Sequence, residues 1–105
     1  MTLDLSGSNR EERQVELMIR LVDAFIAEQL ELGDLVRDLE ALQAELQETD
    51  KAWRESFRDN WWNLEQVHAV GLDRDYETTL SENEQLVSES VRAIKELLMS
   101  WPSVA

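Results

Sequence analysis

The sequence of 105 residues contains no cysteine, three glycines, one proline and a single histidine. Without cysteine there are no disulfides, thiolate nucleophiles or zinc–sulfur sites, which fits a reducing compartment. So few glycines and prolines argue against a turn-rich β fold. One histidine, His68, cannot supply a metal cluster built on several imidazoles. No apolar run approaches the ~18 residues of a membrane span. Met1 to Asn9 has no basic region followed by an apolar run, so no signal peptide is expected. These absences together predict a cytoplasmic protein. Positive charge is also scarce: Lys and Arg number 10 against 23 Asp and Glu, a formal net charge of -13.

An excess of this size repels itself and raises the free energy of the compact state. It also creates a field that speeds encounter with a strongly positive partner and fixes the register of the complex. Nucleic acid is disfavoured as a direct ligand, because a phosphate backbone requires a basic footprint. The carboxylates are clustered. Between Asp23 and Asp50 the only base is Arg37, and between Asp59 and Glu89 the only base is Arg74. Bases gather near the starts of two helical segments, as Arg10, Arg13 and Arg20 and as Lys51, Arg54 and Arg58. Any one of the acids, taken alone, reads as a solvated surface carboxylate.

What remains is helical patterning. Ser8-Asn9-Arg10-Glu11 has the form of a capping box. Val15, Met18, Val22, Phe25 and Ile26 follow in steps of three and four, the stripe of a first amphipathic helix ending near Ala27. A break is expected around Glu28 to Glu31, where the stripe changes phase, against the alternative of one helix running on to Leu46. Leu32, Leu35, Leu39, Leu42 and Leu46 form a narrow seam on a second helix. Thr49-Asp50 caps a third, carrying Trp53, Phe57, Trp61, Leu64 and Val67, with Gly71 at its end. An acidic connector, Asp73 to Thr79, leads through a capping box at Ser81 to Glu84. A fourth helix then carries Val87, Val91, Ile94, Leu97 and Leu98, reaches Trp101 and stops at Pro102. The expectation is an all-α protein, an antiparallel four-helix bundle. Residues 1–9 form a flexible N-terminal segment, 10–101 a single four-helix domain and 102–105 a tail.

Few constellations carry chemistry. Glu65-Gln66-Val67-His68 has the Glu-x-x-His spacing of di-iron bundles, but such sites need the motif on two helices. Asp73 to Glu84 places oxygen-bearing residues at alternate positions of a calcium loop, although Thr78 stands where the turn requires Gly. No acid–base pair or nucleophile arrangement stands out, so no enzyme, metal or cofactor is expected. Trp61 and Trp62 lie about 100° apart around their helix. Trp61 falls on the apolar stripe, so Trp62 is the candidate exposed aromatic. Tyr76, within the acidic connector, is a second candidate anchor.

The run Leu17-Met18-Ile19-Arg20-Leu21-Val22-Asp23-Ala24-Phe25-Ile26-Ala27-Glu28-Gln29-Leu30-Glu31-Leu32-Gly33-Asp34-Leu35 resembles the opening of the colicin D immunity-like family, the bacterial self-protective immunity proteins. There an apolar helix ends near a Phe, a short turn follows and a second helix begins. Leu80 to Leu98 is similar to the family's last helix. The likeness is a pattern of apolar positions over roughly Leu17 to Leu98. It implies a four-helix bundle that binds a cytotoxic nuclease, typically tRNA-cleaving, and occludes its basic active site with carboxylates near the end of the third helix. In that region stand Asp73, Asp75 and Glu77.

The expected function is therefore toxin neutralisation by a stoichiometric complex. Glu65, Asp73, Asp75 and Glu77 would supply charge, with Trp62 and Tyr76 as anchors. The free protein would be a monomer, with neither nucleic acid nor membrane as partner. Two alternatives stay open: a small helical adaptor that binds a partner helix through an apolar groove, and a calcium-binding module through Asp73–Glu84.

Overall fold

The computed structural model describes residues 7–46, 50–73 and 76–101, with the side chains of 7–9, 73, 76 and 77 excluded. Within these residues all regular structure is helical. The helices are α1 (Gly7–Ile26), α2 (Leu32–Gln43), α3 (Lys51–Asp73), α4 (Tyr76–Glu82) and α5 (Glu84–Met99). None is long and apolar enough to cross a membrane.

The expected stripes form one core. Val15, Met18 and Val22 of α1 meet Leu32, Leu35 and Leu39 of α2, Phe57 and Leu64 of α3, and Val91, Ile94 and Leu98 of α5. Burying each such side chain contributes roughly 1.5–3 kcal/mol relative to leaving it in water. α1 packs against α2 and α5, α2 against α3, and α3 against α5, while α4 lies on α3 and touches α5. Two indoles tie α3 to its neighbours' backbones. Trp53 Nε1 donates to the Leu97 carbonyl at 2.8 Å, and Trp61 Nε1 to the Val36 carbonyl at 2.8 Å. Further along, Asn63 reaches Ser90 Oγ at 3.2 Å.

The break between the first two helices is real and has a specific geometry. Gln29 N–H reaches back to the Ala24 carbonyl at 2.8 Å and Glu28 N–H to the Phe25 carbonyl at 3.0 Å. This pair of bonds is a Schellman motif, which requires a left-handed residue after the helix. Glycine is the usual occupant, but here Glu28 takes φ 62°. Glu31 then stands at the N-cap of α2 in extended backbone, without a side-chain cap bond. Asp50, by contrast, does cap α3: its Oδ1 accepts from the Trp53 N–H at 2.7 Å.

Several expectations are corrected. α1 begins at Gly7, ahead of the Ser8 cap. α2 ends at Gln43, and Leu46 is buried through a further turn rather than by helix. Gly71 does not stop α3, which continues to Asp73. Most of the connector is itself helical, as α4, so the described residues hold a short helix between α3 and α5 that the periodicity did not predict. Ser81 lies inside α4, and Asn83, not Ser81, stands before α5 without a side-chain cap. α4 also takes in residues 76–82 of the calcium-loop segment; in a helix alternate residues point about 200° apart, while the side chains of Asp73, Asp75 and Glu77 lie outside the described residues. Thr79 is buried and its carbonyl accepts from Asn83 Nδ2. Thr49, Pro102 and the 102–105 tail lie outside the described residues, as does residue 1–6 of the expected N-terminal segment.

Candidate functional site

α3 buries one face and leaves the other to solvent. Trp53, Phe57, Trp61, Leu64 and Val67 face the core. Trp62 lies on the opposite side and is 53% exposed, as the angular separation from Trp61 requires. Tryptophan is enriched among the anchors of protein interfaces, which makes an exposed indole a candidate contact residue. Around it on the same side lie Asp59 three residues back and Gln66 four on, both exposed, with half-buried Glu65 at the margin. Val70, two turns on, is also exposed at 44%. Behind this surface Trp61 lies near two of its helix neighbours. Its ring centroid lies 6.3 Å from that of Trp62, and the Arg58 guanidinium carbon sits 6.0 Å from it.

Of the other expected site residues, Asp73 ends α3, and Tyr76 and Glu77 open α4. Their backbones therefore bracket the corner between the two helices, but their side chains lie outside the described residues, and Asp75 does so entirely. Trp62 and Asp73 are eleven residues apart, about 16 Å along the axis and in nearly the same register around it. Trp62, Glu65 and Asp73 thus share the second half of one helix.

Arg58, exposed one turn before Trp62, is the base that stands beside this half of α3. Ion pairs among the described residues include Arg37 with Asp34 at 2.8 Å and with Asp38 at 3.4 Å, Lys51 with Glu55 at 4.0 Å, and Lys95 with Asp23 at 2.7 Å. None involves Asp59 or Glu65. Arg37 is committed to its neighbours: hydrogen bonds to Asp34 and then Asp38 raise its pKa above the ordinary guanidinium value.

Compared with family models, curated proteins and solved structures, the chain matches none. The capability of the surface is therefore read from its own chemistry. α2 and α5 open with Asp34 and Glu84, which complement their helix dipoles, whereas α1 and α3 have no acid in the first turn.

His68 lies half-buried at the core margin, with its Nε2 pressed against α2 at Gly33, where an added Cβ would sit 2.6 Å from it. Among the described residues no three His, Cys, Asp or Glu gather in a way that would hold a metal ion.

A second feature bears on the adaptor alternative, although periodicity did not locate it. A groove of about 870 Å³ opens between the end of α1, the α1–α2 turn, α4 and α5. Phe25, Leu30 and Leu80 form its walls, with Val87 and Val91 beneath. Ile26, expected within the first helix's buried stripe, is 56% exposed at its edge. The groove depends on where α1 stops relative to α5, which no periodicity encodes.

Proposed function

We propose that this protein is an immunity protein, a stoichiometric inhibitor of a basic nuclease toxin, probing no chemistry of its own and needing no cofactor. The four long helices are read as an antiparallel four-helix bundle, with α4 as an added arm on α3; the Trp53–Leu97 and Asn63–Ser90 contacts support opposed directions for α3 and α5. The resemblance to the colicin D immunity-like family points to a tRNA-cleaving toxin domain, and to a cytoplasmic monomer that becomes a heterodimer.

The observation that carries this reading is the exposed Trp62, set on a solvent face with Asp59 and Glu65 and outside every ion pair described above. A nuclease that holds RNA phosphates must present Lys, Arg or His in its active site. Carboxylates attract that surface over about 8–10 Å at physiological salt, then pair with its cations and exclude substrate. Trp62 supplies the apolar anchor that slows dissociation.

The test is stopped-flow association with a purified tRNA-cleaving toxin domain. Raising salt from low to high should slow association about ten-fold or more. Trp62→Ala should weaken the complex about thirty-fold, the effect of losing a ~2 kcal/mol anchor, and Glu65→Lys should slow encounter. A salt-independent rate, or full inhibition of RNA cleavage by the Trp62→Ala/Glu65→Lys double variant, overturns the proposal.

A further inference from the structure

We infer that the groove beside α5 is the seat of an amphipathic helix of about three turns, carrying Lys or Arg at its flanks and supplied by a partner protein. The surface is distinct from the Trp62 face, and the inference does not require the partner to be a nuclease.

Shape selects a helix. Glu84, Val87, Ser88, Val91, Arg92 and Lys95 line the groove and recur at helical steps along one face of α5, a stripe roughly 16 Å long. α1 packs along α5, and the contact of Lys95 with Asp23 at 2.7 Å fixes its level. Only three residues later α1 ends at Ile26, and the chain turns away through left-handed Glu28. The stretch of α5 from Lys95 back to Glu84 is therefore left without a helix beside it where α1 would have continued. A ridge of side chains from a docked helix packs into such a face. A small ligand would suit it poorly, because binding pockets enclose most of their ligand's surface and this groove is open to solvent on one side.

Charge selects the flanks. Glu28, Glu31 and Glu84 are exposed on the rim, and none takes part in an ion pair among the described residues. Of the two bases in the lining, Lys95 is already matched by Asp23, leaving Arg92 against three carboxylates. The rim is net anionic within a chain of charge -13, so an acidic helix would be repelled. Glu28 occupies a position where glycine would relieve the backbone, which keeps a carboxylate at the rim at a cost in stability.

The probe is a fluorescein-labelled fourteen-residue helical peptide with Leu at three- and four-residue steps and Lys on both flanks, titrated against the full chain by anisotropy. Its partner probe has Glu in place of Lys. The Lys peptide should bind at least about ten-fold more tightly than the Glu peptide, and salt should narrow the difference. Ser88→Trp, at an exposed position, should fill the groove and weaken binding about ten-fold or more while circular dichroism stays unchanged. Glu28→Gln/Glu31→Gln/Glu84→Gln should abolish the preference for Lys. Trp62→Ala should leave peptide binding intact, so loss of the peptide site and loss of toxin binding are separately visible. Equal binding of the two peptides, insensitivity to Ser88→Trp, or a dimer of the free chain that Ser88→Trp dissociates would overturn the inference.

Discussion

Replacing Glu28 by glycine should stabilise the protein. Glu28 holds φ 62°, where the Cβ of an L-residue crowds its own backbone at a cost of ~1–2 kcal/mol. Glycine removes that cost, but it also gives the unfolded chain more freedom, which takes back about 0.4–1 kcal/mol. The substitution further removes a negative charge two residues beyond the last α1 turn, where the dipole is itself negative; that is worth about 0.3 kcal/mol at an exposed position. The net gain is about 0.5–1 kcal/mol, taking the strain and entropy figures together. For a chain of this size it appears as a rise in Tm of about 2–8 °C. Thermal melts of three variants separate the contributions. Glu28→Gln removes the charge alone, Glu28→Ala removes charge and stem but keeps the Cβ, and Glu28→Gly removes all three. The reasoning requires Gly to exceed Ala. A Gly variant no more stable than the Ala variant would show that the Schellman turn stores no strain.

Gly33→Ala should fail to deliver the ~1 kcal/mol that alanine ordinarily contributes inside a helix, because its Cβ would lie 2.6 Å from His68 Nε2 and 3.2 Å from two ring carbons. In a His68→Ala background the same change should stabilise by about that amount, so a double-mutant cycle by urea denaturation should show coupling of about 1 kcal/mol or more; additive effects would refute the contact. Asp50→Ala should cost about 1 kcal/mol through loss of the α3 cap, with Asp50→Asn or Asp50→Ser retaining most of it, again read from denaturation midpoints.

What the sequence disclosed, and what it withheld, divides along a physical line. Helical stripes long enough to repeat were legible: Leu32, Leu35 and Leu39, the set from Trp53 to Val67, and Val87, Val91, Ile94 and Leu98 are buried, with Leu42 and Leu97 half-buried beside them. The exposure of Trp62 followed from helix geometry alone. α4 was not legible, because seven residues make two turns and its apolar positions, Tyr76 and Leu80, establish no period against Glu77, Thr78 and Thr79. Gly71 misled as a stop signal because glycine lowers helix propensity without forbidding helix, and tertiary packing decides. The turn at Glu28 was visible only as a change of phase, since its residue type gives no hint of positive φ. The groove was invisible in principle, being set by the relative lengths and levels of α1 and α5.

The two buried indoles that donate to Val36 and Leu97 have a practical corollary. Trp53 and Trp61 are 3% and 7% exposed, whereas Trp62 stands half in water beside Trp61. The chain thus carries its own optical gauge. A soluble quencher should reach the emission of Trp62, and part of that of half-buried Trp101, before the blue-shifted emission of the inner pair, which it reaches only as the fold opens. A ligand seated over α3 would silence the first response and spare the second, so occupancy and integrity can be followed in a single cuvette without any label.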